Sequence, residues 1–123
     1  MSFSPDILKT RKPLWIALSD LFLDTELKEY NHAHIATAMY ESGYSFAEIE
    51  DILMLEVFPV CIPNMHSVAG EWAGFHEDWV IKMILKSKRP NRYKQWVNRR
   101  SFWMIKDDWE KVITAYRRLK VAG

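Results

Sequence analysis

The sequence has little that would hold a chain together by covalent or metal cross-links. It contains one cysteine, Cys61, so an intramolecular disulfide is excluded and a reducing compartment is expected. The longest nearly apolar run, residues 14–23, is ten residues long, against about 20 for a membrane span. The first residues also lack the basic-then-apolar order of a signal peptide. We therefore expect a cytoplasmic protein that has no membrane partner.

Glycine is also scarce, whereas large apolar side chains are plentiful. Only four glycines occur among 123 residues, while the chain is 49% hydrophobic and carries six tryptophans. This composition excludes disordered and linker-like classes and indicates a globular protein. A domain of 14.6 kDa removes roughly two-thirds of its unfolded surface from water, which is enough for one core. We predict a single helical domain over residues 1–123.

The net charge of +1 conceals a strong asymmetry along the chain. Residues 1–78 contain four Lys and Arg against thirteen acids, a net −9, whereas residues 79–123 contain thirteen against three, a net +10. Nine basic residues and no acid lie between Trp79 and Lys106. Such segregation raises the hypothesis of a nucleic-acid or charged protein partner.

Helical periodicity dominates the first half, and no segment alternates as a strand does. We expect Pro13 to begin a central helix, because residues 14–23 are apolar on nearly all sides. A second helix is predicted over residues 31–41, with an inward set of Ile35, Ala36, Met39 and Tyr40.

The second helix should end at Ser42 and Gly43, since glycine readily takes positive φ. Ser45 and Glu48 then form a capping-box pattern that starts a third helix at Phe46. The apolar stripe of this helix leads to Glu56. Proline then interrupts the pattern, and residues 57–75 are expected to form a long irregular segment that contains a helical turn or has a specific role.

Three further helices complete the predicted fold. They cover roughly residues 77–87, residues 93–103 and the segment that opens at the acidic pattern Asp107-Asp108-Trp109-Glu110. The prediction is an all-α fold, a single compact irregular bundle of about six helices.

The stretch VAGEWAGF at residues 68–75 has two glycines, but neither a Walker pattern nor a dinucleotide-binding pattern. We interpret it as a tight corner whose Glu71 accepts backbone hydrogen bonds. Glu56 and Glu71 are candidate loop-organising carboxylates, with Glu56 bonding amides of the segment from Pro59 to Met65. As an alternative, the two carboxylates form a general acid/base pair.

No metal or cofactor is expected. His32 and His34 are two residues apart and so lie on different sides of a helix, while His66 and His76 lack partners at a ligand spacing. We interpret all four as surface or locally bonded histidines. Cys61 is interpreted as a small buried apolar residue, because the sequence around it shows no base that would activate the thiol as a nucleophile.

The basic stretch at residues 86–106 interleaves cations with aromatic residues, which would suit phosphate neutralisation and base stacking. However, Tyr93, Trp96 and Trp103 recur at helical spacing, which is typical of a stripe facing the core. Aromatic residues that are buried cannot stack on bases. The candidate basic binding residues are Lys88, Arg89, Arg92, Lys94, Arg99 and Arg100.

Three blocks of the sequence resemble a known family. They are LWIALSDLFLDTE at residues 14–26, SGYSFAEIEDILMLEVFPV at residues 42–60 and SVAGEWAGF at residues 67–75. Together they resemble small bacterial proteins classified as a domain of unknown function. The resemblance covers about the first two-thirds of the chain and implies no activity, cofactor or catalytic residue.

Two function classes remain. The first is a non-enzymatic protein-binding module of the bacterial cytosol, such as an immunity or antitoxin protein that neutralises a toxin, because segregated charge suits steering of a charged partner. Its acidic candidates for a basic partner are Glu41, Glu48, Glu50 and Asp51. The alternative is a nucleic-acid-binding accessory protein that uses the basic C-terminal third.

Overall fold

Helices account for the architecture of this protein. The computed structural model describes residues 4–22, 27–64, 77–87 and 92–122. The α-helices are α1 (Pro5–Ser19), α2 (Glu29–Glu41), α3 (Phe46–Ile52), α4 (Phe58–Asn64), α5 (Glu77–Lys86), α6 (Arg92–Ser101) and α7 (Lys106–Ala122). Because a π-helical turn joins α3 to α4 without a break, these ranges form six continuous helices and contain no strand. The predicted all-α bundle is confirmed.

Helix α1 begins eight residues earlier than the sequence predicted. Ser4 caps it by accepting a hydrogen bond from the backbone N–H of Ile7 at 3.3 Å, and Pro5 occupies the first turn. Pro13 lies inside the helix, so its prediction as a helix start is wrong. Proline has no backbone N–H, so the helix lacks one hydrogen bond at this exposed position. The free energy gained by burying neighbours such as Trp15 outweighs that loss.

Helix α2 begins at Glu29 rather than at Asn31, because the Asn31 side chain accepts the backbone N–H of Lys28 at 2.9 Å and so caps the first turn. It ends as predicted, with Gly43 at φ +78°. Tyr40, predicted to face inward, is exposed.

The capping box predicted at the start of α3 is present. Ser45 accepts the N–H of Glu48 at 3.2 Å, and the Glu48 carboxylate accepts the N–H of Ser45 at 3.0 Å. The helix does not stop near Pro59, in contrast to the predicted irregular segment. The π-turn Leu53–Val57 precedes this proline. Because hydrogen bonds in a π-turn close a wider ring than in an α-helix, the helix continues past a proline that has no N–H to donate.

The core is built around α1. This helix packs against α2, α5 and the π-turn, while α7 packs along α2 more extensively than any other pair of described elements. Phe22 and Phe58 meet edge to face with ring centroids 5.4 Å apart, which is a favourable aromatic geometry. The largest fully buried side chains are Trp15, Phe22, Phe58, Leu14, Leu18, Ile35, Met39, Ile49, Leu53, Ile84, Ile105 and Val57.

Candidate functional site

A partly buried ion pair lies where α1 contacts the π-turn. The Glu56 carboxylate accepts a hydrogen bond from the Arg11 guanidinium at 2.5 Å on one oxygen and from the Trp15 indole N–H at 2.7 Å on the other. The Arg11 and Glu56 side chains are only 16% and 11% exposed. Both carboxylate oxygens therefore serve to bind α3 and α4 to α1.

Two hydroxyl groups extend this network towards the surface. Arg11 Nε donates to the Tyr44 hydroxyl at 3.3 Å, and the same hydroxyl lies 2.7 Å from Thr10 Oγ1. Burial by itself lowers the pKa of Arg11, but its hydrogen bonds to Tyr44 and Glu56 and the negative charge of Glu56 raise the pKa above its ordinary value. The guanidinium stays charged and Glu56 stays paired.

The predicted partners of Glu56 were wrong. The sequence interpretation gave it the amides of residues 59–65, whereas its partners are side chains of α1. The geometry favours a structural role for Glu56. Glu71 and the whole VAGEWAGF stretch lie outside the described residues, so the predicted pairing of the two carboxylates stays a prediction.

His32 differs from the predicted surface or local histidine. It is 5% exposed, and its Nε2 lies 2.9 Å from Asp108 Oδ1, which links α2 to the first turn of α7. His66 and His76 fall outside the described residues. In the part of the chain that the structure describes, no three His, Cys, Asp or Glu side chains converge as metal ligands would.

Cys61 is fully buried, as the sequence predicted. Burial raises the pKa of its thiol well above the ordinary range, because the thiolate would lose its hydration. This cysteine therefore packs as an apolar side chain and is a poor nucleophile.

Two tryptophans are exposed on α6 and on the turn that follows it. Trp96 is 54% exposed and Trp103, in the 3-10 turn Phe102–Met104 that follows α6, is 74% exposed. The prediction that this aromatic stripe faces the core is therefore wrong for both residues. In this segment the buried side chains are Asn98 and Ile105 instead. The amide nitrogen of Asn98 is buried without a hydrogen-bond partner.

Cations share this exposed surface with the tryptophans. At about 100° per residue, Arg92, Arg99 and Arg100 all lie within about 60° of Trp96 around the helix. The Arg100 guanidinium carbon lies 5.1 Å from the centroid of the Trp96 ring, a cation–π geometry. We call this surface the Trp–Arg face; its members are Arg92, Trp96, Val97, Arg99, Arg100, Trp103 and Met104.

The Trp–Arg face also concentrates the exposed apolar surface. Eight large hydrophobic side chains are exposed in the described ranges, and four of them fall within residues 96–104. The remaining four are scattered: Ile7, Tyr30, Tyr40 and Val121. Single exposed apolar residues are ordinary, whereas four within nine residues of the chain favour an interaction surface.

Not all predicted basic residues can be placed on this face. Arg92, Arg99 and Arg100 are exposed, whereas Lys88 and Arg89 lie outside the described residues. Lys94 belongs to α6, but its side chain is also outside the described part.

The four acidic candidates are all exposed. Glu48 is committed to the capping box: the pKa of its carboxyl is lowered first by the backbone N–H of Ser45 and then by the Ser45 hydroxyl. Glu41 lines a groove of about 470 Å³ between α1 and α2. Glu50 and Asp51 are adjacent in α3.

A second groove, of about 550 Å³, runs between α2 and α7. Its lining includes the apolar Leu27, Ala33 and Leu119 together with the charged Glu29, Lys111 and Arg118. These mixed charges favour no single ligand class.

Sequence reasoning named the three arginines of the Trp–Arg face but missed the exposure of Trp96 and Trp103, although one signal for it was present. Arg92, Arg99 and Arg100 lie on the same side of the helix as Trp96, and three guanidinium groups are too costly to bury together without partners. A stripe that mixes tryptophan with arginine in this way indicates an outward face.

The described elements define an all-α domain with an exposed aromatic and basic helix face. None of its described helices combines the length and apolar character that a membrane span requires. The chain belongs to the family described as a domain of unknown function, DUF7079, whose model matches residues 9–118. No curated protein matches the chain, and no solved structure does.

Proposed function

We propose that this chain is a non-enzymatic protein-binding module of the bacterial cytosol, of the immunity or antitoxin type. The observation that carries the proposal is the Trp–Arg face, where Trp96, Trp103, Val97 and Met104 are exposed together. Tryptophan, methionine and arginine are enriched in protein interfaces, and tryptophan and arginine dominate binding hot spots.

The charge layout supports the same proposal. A chain with a net −9 in residues 1–78 and +10 in residues 79–123 can steer a charged partner towards one surface. A toxin neutralised in this way would meet the module rapidly, because steering raises the association rate more than the affinity.

The test is affinity capture of the tagged protein from its bacterial host, with and without nuclease. We expect one stoichiometric protein that survives nuclease and is lost with the double variant Trp96→Ser, Trp103→Ser. The matched control is Tyr30→Ser, because Tyr30 is 69% exposed on α2 and lies outside the Trp–Arg face. Recovery of no protein by the wild type, or equal recovery by the double variant, would contradict the proposal.

A second candidate function is nucleic-acid binding, which the pairing of exposed Trp96 with Arg100 favours. Its signature would be nucleic acid in the captured material and an affinity that falls steeply with salt, since each neutralised phosphate releases counterions. Binding to single-stranded DNA that is insensitive to salt would remove this candidate.

A further inference from the structure

We infer that the Trp–Arg face binds an acidic protein segment that also carries apolar side chains. This inference rests on the proposed protein-binding function and specifies its partner. Charge alone does not show whether the partner binds the basic α6 or the acidic residues around α3, and the inference assigns the partner to α6.

The first step of the argument is electrostatic. Arg92, Arg99 and Arg100 are exposed on this face, and the sequence has no acid between Trp79 and Lys106. A partner that covers α6 must remove water from these cations. Because unpaired buried charge is strongly unfavourable, the partner should supply anionic acceptors, which in a protein are carboxylates.

The second step concerns the apolar part of the face. Trp96 on α6 and Trp103 on the 3-10 turn that follows are seven residues apart, and Val97 and Met104 are their neighbours in the chain. These four side chains gain free energy only when apolar groups of a partner replace the water around them. A purely ionic ligand would leave this gain unused.

The third step separates a protein from a nucleic acid. The Arg100 guanidinium lies over the Trp96 ring, on one of the two faces where a base would stack. Val97 and Met104 offer no stacking surface, and the outward side of a helix is convex, whereas single strands bind along grooves. Protein partners therefore match the whole composition of the face better.

A second copy of this chain is another candidate occupant of the Trp–Arg face, because its α3 has exposed acidic residues. Glu50 and Asp51 lie next to each other there, but the described large apolar side chains that are exposed do not include one on α3. An α3 surface would therefore satisfy the cations and leave Trp96 and Trp103 uncovered.

The experiment is selection of a random peptide library displayed on phage against the full chain. Phage that also bind the double variant Trp96→Ser, Trp103→Ser are discarded, so that only ligands of the Trp–Arg face are retained. We expect enriched peptides to combine Asp or Glu with Leu, Phe or Trp. Their affinity should fall at least about tenfold for Arg99→Glu, Arg100→Glu, as for loss of hot-spot contacts, while circular dichroism stays that of the wild type.

Each other outcome overturns the inference in a distinguishable way. Enrichment of neutral or basic peptides would refute the acidic partner and leave the protein-binding function standing. No enrichment over the double variant would refute peptide binding at this face, while the capture experiment still judges the proposed function.

Two parallel measurements test the other occupants. Binding of mixed-sequence single-stranded DNA more tightly than any selected peptide would assign the face to nucleic acid. Self-association in sedimentation that Arg99→Glu, Arg100→Glu abolishes would assign it to a second copy. Either result would overturn the inference.

Discussion

Removing the charge of Glu56 should destabilise the fold severely. In Glu56→Gln the side chain keeps its shape, but its amide group turns two N–H donors towards a site that Arg11 and Trp15 already fill with donors. One donor faces another, and Arg11, whose side chain is 16% exposed, loses the negative charge of Glu56.

The magnitude follows from this geometry. Breaking one partner of a buried ion pair costs about 3–5 kcal/mol, and the residual exposure of both side chains places this pair near about 3 kcal/mol. With a urea m-value of about 1.5 kcal/mol per molar, the unfolding midpoint should fall by about 2 M. Domains are stable by only about 5–15 kcal/mol, so the loss is a large fraction of the total.

Urea unfolding followed by far-ultraviolet circular dichroism measures this effect. The matched control is Glu50→Gln, an exposed carboxylate in the same continuous helix, which should change the free energy of unfolding by less than about 0.5 kcal/mol. The double variant Arg11→Met, Glu56→Gln should recover part of the loss, because it removes the guanidinium donor that faces the new amide. If Glu56→Gln unfolds like Glu50→Gln, the ion pair does not bind α1 to the π-turn and the reasoning is refuted.

Three smaller effects are also expected. Gly43→Ala should cost about 1–2 kcal/mol of unfolding free energy through its φ of +78° alone, since an added Cβ meets no atom within 4 Å; equal stability of wild type and variant in urea would refute this. Ser45→Ala should cost about 1 kcal/mol by leaving the N–H of Glu48 without its cap, and a cost no larger than that of Ala47→Ser, at the neighbouring exposed position, would argue against the capping role. The raised pKa of Cys61 keeps its thiol protonated throughout neutral pH, so a maleimide should label it slowly at pH 8 and rapidly in urea, whereas fast labelling of the native protein would contradict its burial.

Local chemistry made several features readable from the sequence. The capping box of Ser45 and Glu48 and the turn at Gly43 depend on residues no more than three positions apart, so composition and spacing were sufficient. The helical periodicity of the chain likewise follows from neighbouring side chains, and the all-α class came from it. Helix boundaries were less accurate, because Pro5 and Pro13 both permit a helix start and only Ser4 caps one.

Glu56 shows where such reasoning ends. Its position on the apolar stripe of α3 predicted burial, but its partners lie 45 and 41 residues away in the chain. His32 and Asp108 are likewise 76 residues apart. Sequence spacing carries no information about such pairs, because only the packing of α1 and α7 on the remaining helices brings them together.

The periodicity of residues 93–103 predicted one helix with Trp96 and Trp103 on the same side, since seven residues make nearly two whole turns. The tertiary structure decided that this side faces the solvent. A periodic stripe defines two opposite faces, and burial is assigned by what each face meets when the helices pack. Asn98 of α6 and Ile105 after the 3-10 turn are buried, while Trp96, Trp103 and the arginines of α6 are left exposed.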